Sequence, residues 1–492
     1  MNILLIYPQF PETFWSFTYA LSFIGKKAAF PPLGLLTVAA LLPGEWSKRL
    51  VDVNVENLTD KDLSWADMVF IGGMAVQRES AIQIIDRCKA EELTVVAGGP
   101  LFTSEPGEFS EVDHLVLDEA ELTLPNFLED LNNGCPKKIY RAEGFCDLSD
   151  TPVPLWELIK TKRYASLNIQ FSRGCPFNCE FCNVTVLFGH RPRIKTPAQI
   201  IAELDRIYAT GWRSSIFFVD DNFIGNKSYL KTDLLPALIE WRQDKKGCIF
   251  FTEASINLAD DPELMDMMVK AGFDSVFIGI ESPDEVSLTE CHKTQNKNRD
   301  LIESVKIIHR SGLQVMGGFI VGFDCDKPSI FQRQIDFIQN SGIVTAMVGM
   351  LQAPPGTRLY DRLQRESRVV KTFSGDNVDG TTNIIPSMGI DSLLDGYQSI
   401  MKHIYSPKNY YRRVRTLLRD LKPPEINQPI NVGRFLSIFR SAFRLGFLGK
   451  ERFRYWQLML WTLIRMPKQL PVAITLAIYG YHYRRICELH IY

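Results

Sequence analysis

The amino-acid sequence predicts an α/β protein in three parts, of which the first two are each built around a parallel sheet. Short apolar strands alternate with helical stretches over residues 1–135, and the alternation returns with longer helices over residues 166–375. Such alternation is typical of parallel sheets, because each strand is joined to the next by a crossover helix. Residues 136–165 carry prolines among polar residues and are predicted to form a linker, and residues 376–492 a mainly helical domain.

Length and composition agree with a folded, multidomain protein. The chain has 492 residues, of which 46% are hydrophobic, so each part can bury a core. Its ten cysteines are too sparse for a disulfide framework, and free thiols indicate a reducing cytoplasm. The N-terminus lacks the basic start of a signal peptide, and no run reaches the roughly 18 apolar residues of a membrane-spanning helix.

The first part is predicted to form a doubly wound sheet with a ligand at one edge. Its strands are expected at residues 2–7, 49–55, 68–71, 94–97 and 115–117. Gly72 and Gly73 follow the third strand, and Gly98 and Gly99 follow the fourth. Ligands bind such sheets outside the carboxyl ends of the strands, where glycine lets backbone approach closely. A generic Rossmann-like sheet that binds nothing, or another nucleotide, remains an alternative.

The second part is predicted to be a partial (β/α)6 barrel. Six strands are expected at residues 167–171, 215–219, 249–254, 275–280, 314–321 and 345–351. Polar residues collect at the C-terminal ends of these strands, where barrel enzymes carry their chemistry. They are Asp220, Asp221, Asn222, Glu253, Ser255 and Glu281. Taken singly, each carboxylate could instead be a cap or a surface residue, and a lone Asp at a strand end is more often the N-cap of the next helix.

A loop after the first barrel strand carries Cys175, Cys179 and Cys182 at the spacing C-x3-C-x2-C. Thiolates suit iron–sulfur clusters, and three of them leave one iron of a cubane open for another ligand. The alternative is a structural zinc site with a distant fourth ligand. Such sites usually pair two C-x2-C units, and the sequence has no second one.

This loop resembles the signature of the radical S-adenosylmethionine (SAM) superfamily. The resemblance implies a [4Fe-4S] cluster on the three cysteines, with SAM on the open iron. It also implies an aromatic residue near the adenine, carboxylates near the methionyl group and the ribose, and glycines along the adenine. The residues expected around SAM are Phe181, Asp220, Asp221, Asn222, Glu253, Ser255, Glu281, Gly317 and Gly318.

The first part resembles the cobalamin-binding domain that precedes many radical SAM domains. The matching segments are residues 30–36, the turn at 98–100 and the acidic run 118–121. Cobalamin contacts are therefore expected from Pro32, Leu33, Gly34, Gly72, Gly73, Gln77, Gly98 and Gly99. The sequence departs from one cobalamin pattern, because it has no D-x-H-x-x-G and no histidine before His114. An axial imidazole from this part is therefore not expected. The lower face of cobalamin is expected to be open, bound by water or covered by another side chain, for which the loop 74–77 is the candidate.

Nearly the whole chain is similar to the cobalamin radical SAM group that includes the hopanoid C-2 methylases. Segments 14–17 and 26–34 carry this likeness. It implies a methyltransferase that acts on an unactivated carbon of a lipidic, hopanoid-like substrate through a 5′-deoxyadenosyl radical and methylcobalamin. It also implies a flavodoxin- or ferredoxin-type electron donor.

Three other functions stay open. The protein could be a cobalamin radical SAM enzyme that cyclises, contracts or oxidises its substrate without methyl transfer. It could be a cobalamin- or SAM-binding sensor without turnover, although a sensor has no need of an open iron. The third is a zinc-stabilised, lipid-associated scaffold.

Charge is spread unevenly along the chain. Residues 405–492 carry 16 Lys/Arg and 4 Asp/Glu, although the whole chain has a net charge of −2. One interpretation is an amphipathic surface that rests on anionic lipid at the inner face of the membrane. The other is a helical cap that packs on the barrel and keeps its arginines in solvent. No RNA-binding module is visible, so nucleic acid is not an expected partner. The polar loop 375–383 is expected to cover the barrel mouth.

Overall fold

The computed structural model describes residues 1–376, 379–423 and 432–491. Its first part is a six-stranded parallel sheet in the order β2-β1-β3-β4-β5-β6. The strands are β1 (Asn2–Tyr7), β2 (Ser47–Asp52), β3 (Met68–Gly72), β4 (Thr94–Gly98), β5 (His114–Val116) and β6 (Ile139–Tyr140). The sixth strand lies inside the predicted linker 136–165. A two-residue strand carries too little pattern to be found from sequence.

Helices cover both faces of this first sheet. They are α1 (Thr18–Ile24), α2 (Leu33–Leu41), α3 (Asp60–Trp65), α4 (Arg78–Ala90), α5 (Pro100–Ser104) and α6 (Ala120–Asn132). Because side chains alternate along a strand, Leu4 and Ile6 face one apolar core, while Ile3 and Leu5 face another. The core around Ile3 and Leu5 is continuous with the core of the second part. The first domain is therefore packed directly against the barrel.

The second part is a six-stranded parallel sheet in the order β7-β10-β11-β12-β13-β14, with an antiparallel ribbon of β8 and β9 beside it. Its strands are β7 (Leu167–Ile169), β8 (Ser172–Arg173), β9 (Arg193–Ile194), β10 (Ser215–Phe218), β11 (Ile249–Ala254), β12 (Phe273–Glu281), β13 (Gln314–Val321) and β14 (Ala346–Met350). The predicted partial barrel of six βα units is confirmed.

Burial alternates along the barrel strands. In β13, Val315, Phe319 and Val321 are buried under the outer helices, whereas Met316 and Gly318 are only half-buried. The half-buried residues point to the concave side. The helices of this second part are α7 (Val184–Phe188), α8 (Pro197–Ala209), α9 (Lys227–Tyr229), α10 (Leu235–Asp244), α11 (Pro262–Ala271), α12 (Glu285–Glu290), α13 (Leu301–Ser311), α14 (Ser329–Ser341) and α15 (Arg358–Arg365).

The C-terminal part is helical, as predicted. It contains α16 (Ile390–Tyr405), α17 (Pro407–Asp420), α18 (Val432–Ser441), α19 (Arg452–Arg465) and α20 (Leu470–His490). The Tyr405 hydroxyl donates to the Ala346 carbonyl in β14 at 2.6 Å, and the Tyr410 hydroxyl donates to the Leu476 carbonyl in α20 at 2.6 Å. These bonds fix α16, α17 and α20 as a cap on the barrel.

Helix α20 has 21 residues, although its apolar run predicted only residues 470–481. The last turns of α20 carry charged residues, of which Arg484 forms an ion pair with Glu451. None of the described helices combines the length and the apolar character that crossing a membrane requires. The predicted loop 375–383 is described except for residues 377 and 378, which lie outside the described residues.

Candidate active site

The cysteine loop, residues 172–182, begins in the ribbon strand β8 and ends just before α7. Gly174 has φ +94°, and a Cβ there would stand 2.9 Å from the carbonyl oxygens of Arg191 and Gly189. Only glycine suits this position, because the backbone is left-handed and the segment that leads into β9 lies against it. The Cys175 amide donates to the Gly189 carbonyl at 3.2 Å. The path of the loop is thus fixed at the first cysteine.

Helix α15 holds the other end of the cysteine loop. The Leu359 amide donates to the Glu180 carbonyl at 3.1 Å, and the Arg362 guanidinium pairs with the Glu180 carboxylate at 2.9 Å. Arg358 donates to the Asn178 carbonyl, so the backbone between Cys175 and Cys179 is tied as well. These contacts order the loop from the far side of the barrel.

The first domain holds the start of the loop through a buried ionic network. Arg173 pairs with Glu119 at 3.0 Å and with Glu121 at 2.8 Å, and Arg193 pairs with Glu119 at 2.8 Å. The side chains of Glu119 and Glu121 are 2% and 5% exposed. Burial raises the pKa of each carboxyl, but the bonds from the arginines outweigh it, so that both pKa values lie below 4.5. The acidic run that marked the likeness to a cobalamin domain therefore joins that domain to the cysteine loop.

Asp220 and Asn222 serve as anchors within the barrel mouth. The Asp220 carboxylate accepts from the amides of Phe171 and Ser172 and from the Ser172 hydroxyl, the last at 2.6 Å. The Asn222 amide oxygen accepts from the Ser255 amide at 3.1 Å and from its hydroxyl at 3.2 Å. Neither side chain caps the following helical turn. Asn222 and Ser255 are thus brought together, and Asp220 supports the strand that leads into the cysteines.

Asp221 and Glu253 differ from these anchors, because each has oxygen atoms without a partner. The Asp221 Oδ2 is buried and unpaired, and the Glu253 carboxylate makes no hydrogen bond within the described residues. Burial raises the pKa of Asp221 to about 6. Burial, together with the neighbouring carboxylates of Asp221 and Asp220, raises the pKa of Glu253 to about 8. Such an uncompensated acidic pair favours a cationic ligand such as an ammonium group.

Glu281 pairs with a lysine that the sequence analysis missed. Its φ is +61°, and its carboxylate accepts from Lys293 Nζ at 2.8 Å, with both side chains largely buried. Burial would lower the pKa of Lys293, but the charges of Glu281 and Cys179 raise it overall. The Gln295 side chain lies beside Cys179, with its Nε2 3.9 Å from the sulfur. Lys293 follows α12 and not a strand, so the strand-end pattern gave no signal for it.

Gly317 and Gly318 give room for large neighbours in the barrel wall. A Cβ at Gly318 would stand 2.9 Å from the Phe277 ring, and one at Gly317 would stand 2.9 Å from the Phe319 ring. Phe181 is partly buried next to Phe323, with ring centroids 6.3 Å apart. The three predicted adenine contacts stay predictions.

Aromatic rings line the inner face of the barrel one layer below the carboxylates. Phe217 and Phe251 are stacked with centroids 4.7 Å apart, and Phe30 of the first domain lies 5.4 Å from Phe217. Trp15 lies 5.3 Å from Phe277 on the next strand. All five rings are half-buried although they are central in the fold. Two segments of the first domain therefore complete an apolar wall inside the open barrel.

The predicted cobalamin contacts collect at the carboxyl edge of the first sheet. Gly99 has φ +89° and faces Gly73, and a Cβ at Gly98 would meet the Val116 carbonyl oxygen at 2.5 Å. A Cβ at Gly72 would touch Leu35 of α2, which begins at Leu33 after the buried Pro32. Gly34 is exposed, and no atom lies within 4 Å of the position of its Cβ. The edge is therefore open at Gly34 and tightly packed at Gly98.

Gln77 is engaged within its own domain. Its Nε2 donates to the Pro8 carbonyl at 2.5 Å, and its Oε1 accepts from the Met74 amide at 2.9 Å. The residue is 1% exposed, whereas Met74 is 49% exposed. A Cβ at Gly375, in the loop that follows the barrel, would stand 3.0 Å from the Ala75 Cβ and from the Val76 nitrogen. Gln77 thus shapes the loop 74–77, and the axial position of that loop stays a prediction.

The side chains around the barrel mouth are chemically suited to the expected iron–sulfur cluster and to SAM. Within the three described segments, no three His, Cys, Asp or Glu side chains meet as ligands of a single metal ion. A cubane binds its cysteines through different irons, so its ligands need not meet at one point. Three cysteine side chains, an unpaired carboxylate oxygen of Asp221 and a buried, unpaired Oε1 of Gln295 lie around the barrel mouth. Buried polar atoms without protein partners at this position suit hydrogen bonds to a bound ligand.

Comparison with known proteins agrees with this geometry. Residues 169–337 match the radical SAM superfamily model, and residues 357–491 match a domain of unknown function, DUF4070. An uncharacterized methyltransferase of Synechocystis sp. is 42% identical over 99% of this chain and 92% of the relative. A hopanoid C-2 methylase of Rhodopseudomonas palustris is 35% identical over 94% of this chain and 90% of the relative. The structure of the cobalamin-dependent SAM radical enzyme OxsB has a TM-score of 0.63 at 16% identity, covering 99% of this chain and 84% of that one.

Proposed function

Because this chain belongs to the cobalamin-binding radical SAM family, with a hopanoid C-2 methylase among its relatives, we propose that it methylates an unactivated carbon of a lipidic, hopanoid-like substrate. Its cofactors are a [4Fe-4S] cluster, SAM and cobalamin. When bound, the cluster and SAM supply a hydrogen-abstracting 5′-deoxyadenosyl radical, and cobalamin supplies the methyl group. The protein contributes binding, orientation and the exclusion of water.

The residues of the barrel mouth divide these tasks. Cys175, Cys179 and Cys182 would hold the cluster. Asp221 and Glu253 offer unpaired carboxylate oxygens to the SAM ammonium group, while Asp220 and Asn222 keep their strands in place. Lys293 offers a buried cation close to Cys179 that suits the SAM carboxylate.

The observation that carries the lipidic substrate is the aromatic wall. Phe217, Phe251 and Phe277 lie on the barrel strands directly below the polar layer, and Trp15 and Phe30 come to them from the first domain. A wall of half-buried rings favours a flat or extended apolar molecule, because contact with it removes apolar surface from water. The likeness to the hopanoid C-2 methylase supports the same substrate class.

We also propose a cobalamin site, an electron donor and a location for this protein. Pro32, Leu33, Gly34 and the glycines at the edge of the first sheet would line the cobalamin site. A flavodoxin- or ferredoxin-type protein is proposed as the electron donor. The protein is proposed to work in the cytoplasm with peripheral contact at the inner face of the membrane.

Anaerobic purification tests the cofactors directly. Iron, sulfide and cobalamin would be quantified in the wild type and in a Cys175→Ala/Cys179→Ala/Cys182→Ala variant. About four irons per chain, lost in the variant, together with bound cobalamin, is the expected result. Zinc in place of iron would overturn the mechanism, and iron without cobalamin after reconstitution would indicate a simpler radical SAM enzyme.

A labelled methyl group then separates methyl transfer from other radical outcomes. The reduced enzyme would be incubated with hopanoid extracts and SAM that carries a deuterated methyl group. Mass spectrometry should show a product that is heavier by one labelled methyl group. A substrate-derived product without that added mass would support cyclisation, ring contraction or oxidation instead. Binding of SAM and cobalamin without any product would support a sensor.

A further inference from the structure

Strongly exposed apolar side chains are concentrated in one part of this protein. Among the described residues, twelve large ones lie between residues 435 and 464, and thirteen are spread over the rest. We call these twelve the apolar helical face. It consists of Phe435, Leu436, Ile438, Phe439, Phe443, Phe447, Leu448, Phe453, Trp456, Leu460, Leu463 and Ile464. Soluble monomers rarely expose an apolar patch of this kind unless it serves an interaction.

The pattern of the face follows helical geometry. Phe435, Phe439, Phe443 and Phe447 recur every fourth residue along α18 and the π-helical turn Ala442–Phe447, and each is 53–63% exposed. Residues four apart lie on the same side of a helix, so the four rings form one ridge. The Phe435 and Phe439 rings touch at 4.7 Å, and Phe447 lies 5.9 Å from Trp456 of α19. The two helices therefore share one continuous apolar surface.

The opposite sides of these helices are anchored in the fold. Leu445, Tyr455 and Leu458 are buried in the main core. Arg440 donates to the Phe23 carbonyl at 3.0 Å, and Arg444 donates to the Ser22 hydroxyl at 2.8 Å. Since these helices are packed on one side, the exposed rings are held outward by the fold.

The charge around the face has one sign. Residues 432–468 contain eight Lys or Arg and one acidic residue, Glu451, which is itself paired with Arg484. The basic residues Lys450, Arg452, Arg454, Arg465 and Lys468 are all exposed. A second copy that docked by the same face would bring like charges together, which opposes association. An anionic surface is complementary to both the charge and the apolar ridge.

We infer that the apolar helical face inserts into the interface of a bilayer that contains anionic phospholipid. Aromatic rings at the acyl boundary with arginine and lysine at the headgroups are typical of interfacial helices. Arg440 of α18 and Arg444 of the following π-helical turn bind to α1, and the segment just before α1 supplies Trp15 to the inner wall of the barrel. One short segment therefore links the apolar helical face to the aromatic wall that is proposed to bind the lipidic substrate.

Vesicle binding of the full-length protein tests this inference without turnover. Sedimentation would be measured with vesicles of phosphatidylcholine alone and with vesicles that also contain phosphatidylglycerol. The wild type should bind the anionic vesicles, and Phe439→Ser/Phe443→Ser/Phe447→Ser should bind at least about tenfold more weakly. Val286→Ser/Val370→Ser/Ile385→Ser removes three exposed apolar residues elsewhere and should bind like the wild type.

A charge variant keeps the test valid if the phenylalanine variant folds poorly. Arg452→Gln/Arg454→Gln/Arg465→Gln should weaken binding by roughly fivefold per residue, and salt should abolish the difference. Absence of wild-type binding, equal binding by all variants, or self-association through the face in sedimentation velocity would overturn the inference. The inference deepens the peripheral contact proposed above. Because it is measured without substrate, its failure is distinguishable from failure of the methyltransferase proposal.

Discussion

Glu119 of the first domain and Arg173 of the cysteine loop form a buried ion pair of 3.0 Å, two residues before Cys175. Arg193, on the returning strand of the ribbon, completes the pair from the other side at 2.8 Å. The domain that resembles a cobalamin-binding domain thus holds the loop that carries Cys175, Cys179 and Cys182. We infer that Glu119 and Arg173 are positioning residues for that loop.

The Glu119→Gln substitution should destabilise the protein and loosen the cysteine loop. Removing one charge from a buried ion pair leaves the other without full compensation, which costs about 3 kcal/mol. We expect this loss in urea unfolding, together with less iron and sulfide per chain after reconstitution. The control is Glu129→Gln on the exposed side of the same helix, α6. Full iron content in Glu119→Gln would contradict the positioning role.

Gly174→Ala should prevent cluster assembly. The new Cβ would stand 2.9 Å from two backbone carbonyl oxygens in a left-handed conformation, so the loop must move. The matched control is Gly211→Ala, because Gly211 has φ +84° but no atom within 4 Å of an added Cβ. That control should lose only about 1–2 kcal/mol for the backbone strain and keep its iron. Equal iron content in both variants would show that the close contact at Gly174 is unimportant.

Lys293→Met should impair SAM binding and stability. The change leaves the Glu281 carboxylate buried without its partner, which costs about 3 kcal/mol. SAM binding to the reconstituted enzyme would be measured by equilibrium dialysis, and unfolding by urea. Lys270→Met is the control, since Lys270 pairs with Asp266 at 2.6 Å on an exposed helix and should change stability by less than about 0.5 kcal/mol. Unchanged SAM affinity in Lys293→Met would remove Lys293 from the site.

The Glu253 carboxyl should make the SAM-free protein less stable as pH rises. Its pKa is raised to about 8, chiefly by burial, so the folded state favours the protonated form. The stabilisation by that proton is complete below the unfolded pKa of about 4.3 and is lost as pH rises through about 8. We therefore expect Glu253→Gln to melt like the wild type near about pH 5 and at a higher temperature near about pH 9. The exposed Glu240→Gln is the control, and a pH-independent difference would refute the prediction.

Gly34→Leu should reduce cobalamin retention without changing stability. No atom lies within 4 Å of a Cβ at Gly34, so the fold tolerates a side chain that would enter the proposed cofactor edge. Cobalamin per chain should fall below half of the wild-type value, with an unchanged melting temperature. Gly44→Leu, which is equally unhindered, should keep its cobalamin. Retention in both variants would move the cofactor away from Gly34.

Much of the fold was accessible from local patterns. Apolar strands ending near Gly72, Gly98 or Asp220 indicated parallel sheets, and all eleven expected strands are present, eight of them with shifted ends. The sixth strand of the first sheet, Ile139–Tyr140, was missed because two residues carry no periodicity. Helix α20 was predicted too short, because its last turns are charged and are stabilised by the pair of Arg484 with Glu451.

The polar residues of the barrel mouth could be located from the strand ends, but their contacts could not. Asp220 and Asp221 are neighbours in sequence, yet the first is bonded to Ser172 and the second has an unpaired buried oxygen. Lys293 lies on no strand end and became visible only through its contact with Glu281. Such differences depend on which atoms face each other across the barrel mouth.

The sequence alone determined the two parallel-sheet halves and the three-cysteine loop, because strand periodicity and ligand spacing are local properties. The tertiary structure alone decided how the halves are coupled, since Glu119 and Arg173 are 54 residues apart along the chain. The tertiary structure also decided which helices of the basic C-terminal part are buried and which stay exposed. Tyr410 and Leu417 are buried in the cap, whereas Phe439 and Phe443 remain exposed. These helices have similar compositions, and only the packing of neighbouring elements determines which of their apolar faces is removed from water.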